Sequence, residues 1–406
     1  MSAVTVYRAA QVLTGGDEGP IAEGAVVVEG STITAVGAAA TVPVPAGARV
    51  IDVSGATLLP GLVDCHEHLL GRSRYAEGTS ELGEPDATWA VVLAHHAREC
   101  LERGVTTVRV PGSRHAMDIA VRTAFEEGFL EAPRIVAAGE AITMTGGHGA
   151  GAGVQIDGPA EAARAARTQL ARGANFLKVM ASGGVGTVRI GEDPTHPELT
   201  VAELEAVVAV ANAARKDVTA HADGVEGIEN ALRAGVHCIE HGIYLTAEQA
   251  RDMAARGVRL VPTLSTMVNI ARRGPEWGLP PEWSEIATGI LAVHRESFRN
   301  ALDAGVVFGT GTDGYGDLVD ELIEFTTYGI SPLRAIQAAT RDAARIAVRT
   351  PTFGQVAVGW DADLLIVEGD PLQDLNTLRR PALVVRAGRL VAGSRCRRLD
   401  VAETDS

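Results

Sequence analysis

Pro60-Gly-Leu-Val-Asp-Cys-His-Glu-His-Leu69 is an apolar run that ends in two histidines spaced i and i+2. On an extended chain alternate side chains share a face, so His66 and His68 point the same way and can grip one divalent metal. Taken alone, such a pair is more often a polar strand end than a metal site. The residues on either side of it have to choose between the two.

Downstream of this run, apolar strands alternate with amphipathic helices. A helix over 88–103 leads to the strand Val105-Thr-Thr-Val-Arg-Val110, and a helix over 117–129 leads to the strand at 134–138. The helix 160–172 precedes Phe176-Leu-Lys-Val-Met180, and 201–215 precedes Val218-Thr-Ala-His-Ala222. Helices over 225–234 and 247–256 frame His237-Cys-Ile-Glu-His241 and the strand at 258–263. A last helix, 290–304, runs into Val306-Val-Phe-Gly-Thr-Gly-Thr-Asp313. Eight strands alternating with helices predict an α/β fold, a (β/α)8 TIM barrel over residues 60–349.

Outside that segment the grammar is different. Ala25-Val-Val-Val-Glu29, Thr32-Ile-Thr-Ala-Val36 and Arg49-Val-Ile-Asp-Val53 are short β-branched runs punctuated by glycine and proline, and the same pattern returns in Asp363-Leu-Leu-Ile-Val367 and Ala382–Val391. Residues 1–59 and 350–406 are therefore expected to build a small composite β-sandwich domain from both termini.

Parallel barrel strands direct their C-terminal ends to one mouth. Here the first ends at His66 and His68, the fourth carries Lys178, the fifth His221, the sixth His241, and the eighth ends at Asp313. Each has an ordinary reading by itself, as a satisfied core histidine, a helix cap or a snorkelling lysine, but six such groups at one mouth suit a hydrolytic metal set. Lys178 is the odd member, because an ammonium beside a dication is repelled. A carbamate on its nitrogen would turn it into an anion able to bridge two metals.

The pattern Pro-Gly-Leu-Val-Asp-x-His-x-His, a strand lysine, two later strand-end histidines and a strand-eight aspartate, between split β segments, resembles the amidohydrolase superfamily. Thr145-Gly-Gly-His-Gly149, Lys178–Gly184, Glu240-His-Gly242 and Ala362–Pro371 are similar to its imidazolonepropionase-like branch, with the Xaa-Pro and Xaa-Arg/Lys dipeptidases and ochratoxinase-like amidases. The resemblance implies two divalent metal ions, zinc before others. His66, His68 and Asp313 would hold one, His221 and His241 the other, with a CO2-derived carbamate on Lys178 between them. It further implies a bridging hydroxide as nucleophile and Asp313 as the proton carrier.

The reaction implied is cleavage of an amide bond in a dipeptide, prolidase-like, or in an N-acyl amino acid. Alternatives are a cyclic amide or imidazolone hydrolase, a heterocycle deaminase, which commonly lacks the bridging lysine, or a catalytically silent binding protein. His148, in its glycine-rich loop, is a candidate catalytic and substrate-binding residue at the carbonyl oxygen. Asp223 and Tyr244 are candidate substrate contacts, with Tyr315 a further one. Two departures stand out: Asp223 occupies a position where related dipeptidases carry an aromatic or histidine, and Arg109-Val110 stands where many read Arg-Asp. The segments 69–86, 183–199 and 266–285 read as long lid loops.

Composition agrees with a small-molecule enzyme. The 406 residues carry a net charge of −15 without a basic stripe, which disfavours nucleic acid and anionic membrane as partners. Mean hydropathy is +0.11 and no uncharged apolar run reaches spanning length, so no membrane segment is expected. The N-terminus lacks the grammar of a signal peptide, which points to the cytoplasm. Cys65, Cys100, Cys238 and Cys396 form no C-x-x-C pair and read as small buried hydrophobes. A homo-oligomer stays open.

Overall fold

The structure, a computed structural model, describes residues 4–70, 85–185 and 193–393. Four strands open the chain: β1 (Val4–Val12), β2 (Ile21–Glu29), β3 (Thr32–Ala38) and β4 (Arg49–Pro60). β1 to β3 pair antiparallel in sequence, whereas β4 lies parallel to β1 with Val6 opposite Val50. The run Ala25–Val28 is buried throughout, as expected of β-branched strands packed on both faces.

At Pro60 the period changes. The chain enters β5 (Leu62–Asp64), then α1 (Asp86–Glu102), β6 (Val105–Val110), α2 (Met117–Glu126), β7 (Arg134–Ala137), β8 (Ile142–Met144), β9 (Val154–Ile156) and α3 (Pro159–Arg172). It continues through β10 (Leu177–Met180), α4 (Val201–Ala213), β11 (Val218–Ala222), α5 (Val225–Ala234), β12 (Cys238–His241), α6 (Ala247–Arg256) and β13 (Arg259–Val261). Five helices follow: α7 (Leu264–Arg273), α8 (Pro281–Ala304), α9 (Leu318–Thr326), α10 (Pro332–Gln337) and α11 (Ala343–Ala347).

Local chemistry sets the helix ends. In α6, Thr246 and Gln249 form a capping box that satisfies the first free N–H groups, and Gly257 at φ 68° closes the other end in a left-handed cap. In α1, Trp89, Leu93, Ala97 and Leu101 recur every four residues and are buried as one stripe against the sheet. Burying Leu93 alone contributes about 1.5–3 kcal/mol.

The strands between helices are all parallel and form two sheets, β5-β6-β7 and β13-β12-β11-β10-β8-β9. Backbone bonds link the two, directly on one side and through residues 306–310 on the other. Asn175 N donates to Ala137 O at 2.7 Å, Cys65 N to Thr310 O at 2.9 Å, and Leu260 N to Val307 O at 3.0 Å. Residues 306–310, expected as a full strand, make only the isolated bridge Leu260–Phe308. The architecture is thus α/β with parallel strands behind helices, and the ladders do not merge into one closed sheet.

The chain ends in β14 (Leu364–Glu368), β15 (Pro381–Arg386) and β16 (Arg389–Ala392). β14 pairs antiparallel with the second half of β4, Leu364 opposite Pro60, so both termini join in one seven-stranded sheet ordered β16-β15-β14-β4-β1-β2-β3. The ladders record this single continuous sheet where a sandwich of two was expected. The reason is β4: at 12 residues it runs beside β1 from Arg49 to Leu58 on one edge and takes β14 along Ala56–Pro60 on the other.

The expected lid 266–285 is mostly helical. α7 occupies its first part and α8 begins at Pro281, where proline suits the first helical turn because its missing N–H has no partner there anyway. Of the other two expected lids, residues 71–84 and 186–192 lie outside the described residues. Among the described residues no helix is long and apolar enough to cross a membrane.

Candidate metal centre and substrate cavity

Because β5, β10, β11 and β12 run parallel, their C-terminal ends face the same side. The side chains there line a cavity of about 220 Å³. His66, His68, Lys178, His221, His241 and Asp313 all line it, together with His148 and Asp223. Tyr244 does not. Its ring packs beside the cluster of Val185, Ile243 and Trp283, and its backbone N donates to Asp223 O at 2.9 Å. Tyr315 does line the cavity.

Two of these residues are turned inward by unusual backbone. His241 (φ 64°) and Asp313 (φ 50°) are left-handed, as is Thr263 (φ 48°). A non-glycine residue there costs on the order of 1–3 kcal/mol and persists only where its surroundings hold it. The bonds that hold these three are visible. Asp313 N donates to His66 O at 2.7 Å, and Thr263 Oγ1 lies 2.7 Å from His241 Nδ1.

Each of the four histidines has one ring nitrogen committed to an oxygen of the protein. His66 Nδ1 meets Glu240 Oε2 at 2.8 Å, His68 Nδ1 meets Gly112 O at 3.2 Å, His241 Nδ1 meets Thr263 Oγ1, and His221 Nε2 meets Gly183 O at 3.0 Å. A histidine that donates from one nitrogen offers a lone pair on the other, which is how metal-binding imidazoles are oriented. The other ring nitrogens of His66 and His68 both lie 3.2 Å from Asp313 Oδ1. Ligand atoms of His66, His241 and Asp313 all fall within 4.8 Å of one another. Lone pairs and a carboxylate oxygen crowded this closely fit a divalent cation between them.

The charge states agree with that fit. Burial, with neighbouring imidazoles, holds His221 and His241 well below the usual histidine range, so both are neutral bases. Burial works against the Asp313 carboxylate, but His66 and His68 outweigh it and keep the group ionised. Burial brings the Lys178 amine down to about 8, against the pull of Glu240 and Asp313. A further histidine–carboxylate group, His95, His96 and Glu99 on α1, lines no part of the cavity.

Glu240 is the functional residue that sequence reading missed. It is fully buried and accepts from Arg109 Nη1 at 2.7 Å, from Thr219 Oγ1 and from His66 Nδ1. Burial opposes its charge, yet Arg109 and His66 hold its carboxyl well below the usual range. Arg109 is itself buried, with its guanidinium 4.2 Å from the centre of the Phe176 ring. The alternation of strand residues sends Glu240 and His241 to opposite faces, and only the left-handed turn at His241 brings both to the site. The available signal was an acid immediately before a strand-end ligand, in a strand otherwise apolar.

A second buried network lies behind His66 and His68. Asp64 Oδ1 accepts from His66 N at 3.0 Å, and Thr312 Oγ1 lies 2.7 Å from both Asp64 Oδ2 and Glu67 Oε2. One hydroxyl proton cannot serve two acceptors. Burial and the charge of Glu67 push Asp64 well above the carboxylate range.

His148 stacks on His221 with ring centres 4.2 Å apart. Its backbone N donates to Glu198 Oε1 at 2.8 Å, and a Cβ on Gly184 would come within 2.4 Å of its ring. The second glycine of Ser182-Gly-Gly184 is therefore what gives the imidazole its seat. Asp223 is buried beside His221, Oδ2 to Nε2 3.4 Å, and its backbone N donates to Ser182 Oγ at 2.8 Å. The N-cap of α5 is the next residue, Gly224.

Comparison with known proteins follows the same lines. Residues 57–391 match the profile described as Amidohydrolase family. The chain is 29% identical to the ochratoxinase of Aspergillus niger across 96% of its own length and 87% of that protein. Among solved structures, it resembles a Xaa-Pro dipeptidase with methionine bound in its active site (TM-score 0.88, 28% identity, 96% of this chain and 100% of that one). It also resembles a prolidase complexed with N-methylphosphonate-L-proline (TM-score 0.86, 30% identity, 97% and 100%).

Proposed function

The chain belongs to the amidohydrolase family, and on that premise we propose that it is a metal-dependent hydrolase cleaving the amide bond of a dipeptide or an N-acyl amino acid. The observation that carries this reading is the commitment of one ring nitrogen on each of His66, His68, His221 and His241. We read residues 60–349 as a (β/α)8 barrel that carries the site, and 1–59 with 350–406 as its companion β unit.

His66, His68 and Asp313 would hold one divalent ion and His221 with His241 a second, zinc suiting this nitrogen and carboxylate set. When bound, the ions would ionise a water near neutral pH and polarise the scissile carbonyl. Lys178 supports a two-ion site through its own chemistry. An amine near 8 is partly neutral at physiological pH, and its nitrogen can attack CO2, losing a proton and forming a carbamate anion. That anion cancels positive charge where an ammonium would add it.

The remaining steps fall to the protein. Asp313 Oδ1 is turned to the two histidines, which leaves Oδ2 to take a proton from the water and pass it to the departing nitrogen. His148, held by Glu198 and seated over Gly184, donates to the carbonyl oxygen as it gains charge. Leu70, Trp89, Leu93, Met180, Ile270 and Trp283 form apolar wall that excludes water from the reacting atoms.

The test is metal analysis of protein purified without chelators and supplied with zinc and bicarbonate, followed by a screen of Xaa-Pro dipeptides and N-acyl amino acids. Two ions per chain and release of free amino acid are expected, with Lys178→Ala losing both activity and one ion. One ion or fewer would overturn the two-ion site, and a silent screen with full metal occupancy would overturn the substrate reading.

A further inference from the structure

We infer that Arg114 receives the free carboxylate of the amino acid that leaves in this reaction, and so selects substrates ending in an unblocked carboxyl group. The inference rests on the amide-hydrolase reading above and adds the residue that chooses the substrate. Arg114 lines the same cavity as the metal-ligating set. Its Nη1 is buried, and among the described residues it has no hydrogen-bond partner. A guanidinium donor withdrawn from water and left without an acceptor is costly, and a ligand carboxylate would remove that cost.

The loop around Arg114 is built to hold it still. On one side, Gly112 O accepts from His68 Nδ1, the ring whose other nitrogen faces Asp313. On the other, Ser113 N donates to Gly139 O at 2.8 Å, Ser113 Oγ donates to Asp118 Oδ1 at 2.9 Å, and Asp118 Oδ2 accepts from Gly139 N at 2.9 Å. Immediately after Arg114 the backbone is left-handed at two successive residues without glycine, His115 (φ 54°) and Ala116 (φ 57°). Such strain is kept where position matters more than comfort. His115 also pairs with Asp86 at the start of α1, Nδ1 to Oδ2 2.8 Å. Ser113, His68 and His115 are thus all occupied in fixing the loop, and Arg114 is the member left to meet a ligand.

Charge complementarity points the same way. Apart from the histidines, the described residues lining the cavity include two cations, Lys178 and Arg114, and two acids, Asp223 and Asp313. Lys178 and Asp313 belong to the metal set. Asp223 would repel a carboxylate, so a substrate with a free carboxyl group must turn it towards Arg114. The planar guanidinium can hold both carboxylate oxygens at once, which an ammonium cannot.

The experiment compares zinc-loaded wild type, Arg114→Gln and Arg114→Lys on N-acetyl-L-methionine, N-acetyl-L-proline, N-acetyl-L-phenylalanine and L-alanyl-L-proline, each beside its C-terminal carboxamide. The binding of L-methionine and L-methioninamide is followed by thermal shift on the same proteins. Wild type should favour the free acids, and in Arg114→Gln the acid-to-carboxamide ratio of kcat/KM should fall about 30-fold or more, mainly through KM. Arg114→Lys should recover part of that ratio. An unchanged ratio, or equal losses on acid and carboxamide, overturns the inference and leaves the hydrolase reading intact. If wild type cleaves no member of the panel the substrate reading fails, and binding then decides. Stabilisation by L-methionine that is lost in Arg114→Gln supports Arg114 as the carboxylate receptor, and its absence in wild type or its retention in the variant overturns it.

Discussion

Replacing Glu240 by glutamine should damage this protein more than an isosteric change normally does. Both Glu240 and Arg109 are almost wholly buried, with 2.7 Å between Oε1 and Nη1. Removing the negative partner leaves the Arg109 cation in a dry interior, a loss of about 3–5 kcal/mol for a broken buried pair. A second effect falls on His66. Glutamine has one oxygen, and if Arg109 keeps it, the amide NH2 faces His66 Nδ1, which must then accept. The ring proton moves to Nε2 and the lone pair aimed at the metal position is gone. Loss of such an orienting partner typically weakens metal affinity about 10–100-fold. Denaturant unfolding and zinc competition titrations on Glu240→Gln, Arg109→Met and the double variant separate the two effects. The double variant should be less destabilised than the sum of the singles, because the unpaired charge disappears with Arg109. Additive losses, or a Glu240→Gln protein that binds zinc like wild type, would refute the reasoning.

Gly184→Ala should push the His148 ring from its seat and lower kcat with metal content unchanged, measured by steady-state rates beside metal analysis; undiminished kcat would mean that His148 does not need its stacking on His221. Asp223→Asn keeps shape and removes charge, so the preference between substrates with basic and neutral side chains should move about ten-fold, near the ~1.4 kcal/mol of one charge contact. Asp217 is held below the usual carboxylate range: burial opposes its charge, but Arg259 at 3.0 Å and Arg349 at 2.6 Å prevail. A depressed acid stabilises above its unfolded pKa and loses that contribution as pH falls through the folded value, so Asp217→Asn should cost about 1–2 kcal/mol at pH 7 and progressively less below pH 4 in urea titrations.

Most of the residues that meet in the cavity were legible because they sit where strand grammar is strongest. Lys178 and His221 lie inside buried strands of four and five residues, and an apolar strand that carries a charge or an imidazole announces it. Helices α5 and α6 were placed to the residue because their turns follow local chemistry, a capping box and left-handed ends. Glu240 was hidden by the same alternation that exposed His221, since nothing in the residues Glu240-His241-Gly242 tells a reader that His241 turns left-handed. Arg109 was noticed only as a departure from a pattern, because its partner lies 131 residues away. Tyr244 was assigned to the substrate by its nearness in sequence to His241, whereas the turn at Gly242 directs its ring to the cluster around Ile243. The segment 266–285, expected as a loop, is mostly helical because Pro275 and Pro281 stand in first helical turns, where a missing N–H costs nothing.

The position of β4 bears on how the chain comes to be made. One edge of it finds β1 within some forty residues, but the other edge waits for β14, and Pro60 pairs with Leu364. At a synthesis rate of roughly 5–20 residues per second, the ribosome takes about 15–60 s to deliver the missing strand. During that interval the edge running from Ala56 to Pro60 offers unpaired N–H and C=O groups beside the buried side chains of Thr57, Leu58 and Leu59. The nascent protein thus carries a sticky margin for nearly the whole of its birth, and the strand that covers it is among the last to emerge. A stalled or prematurely ended chain would keep that margin open, with the strands that line the cavity already made and their supporting sheet unfinished.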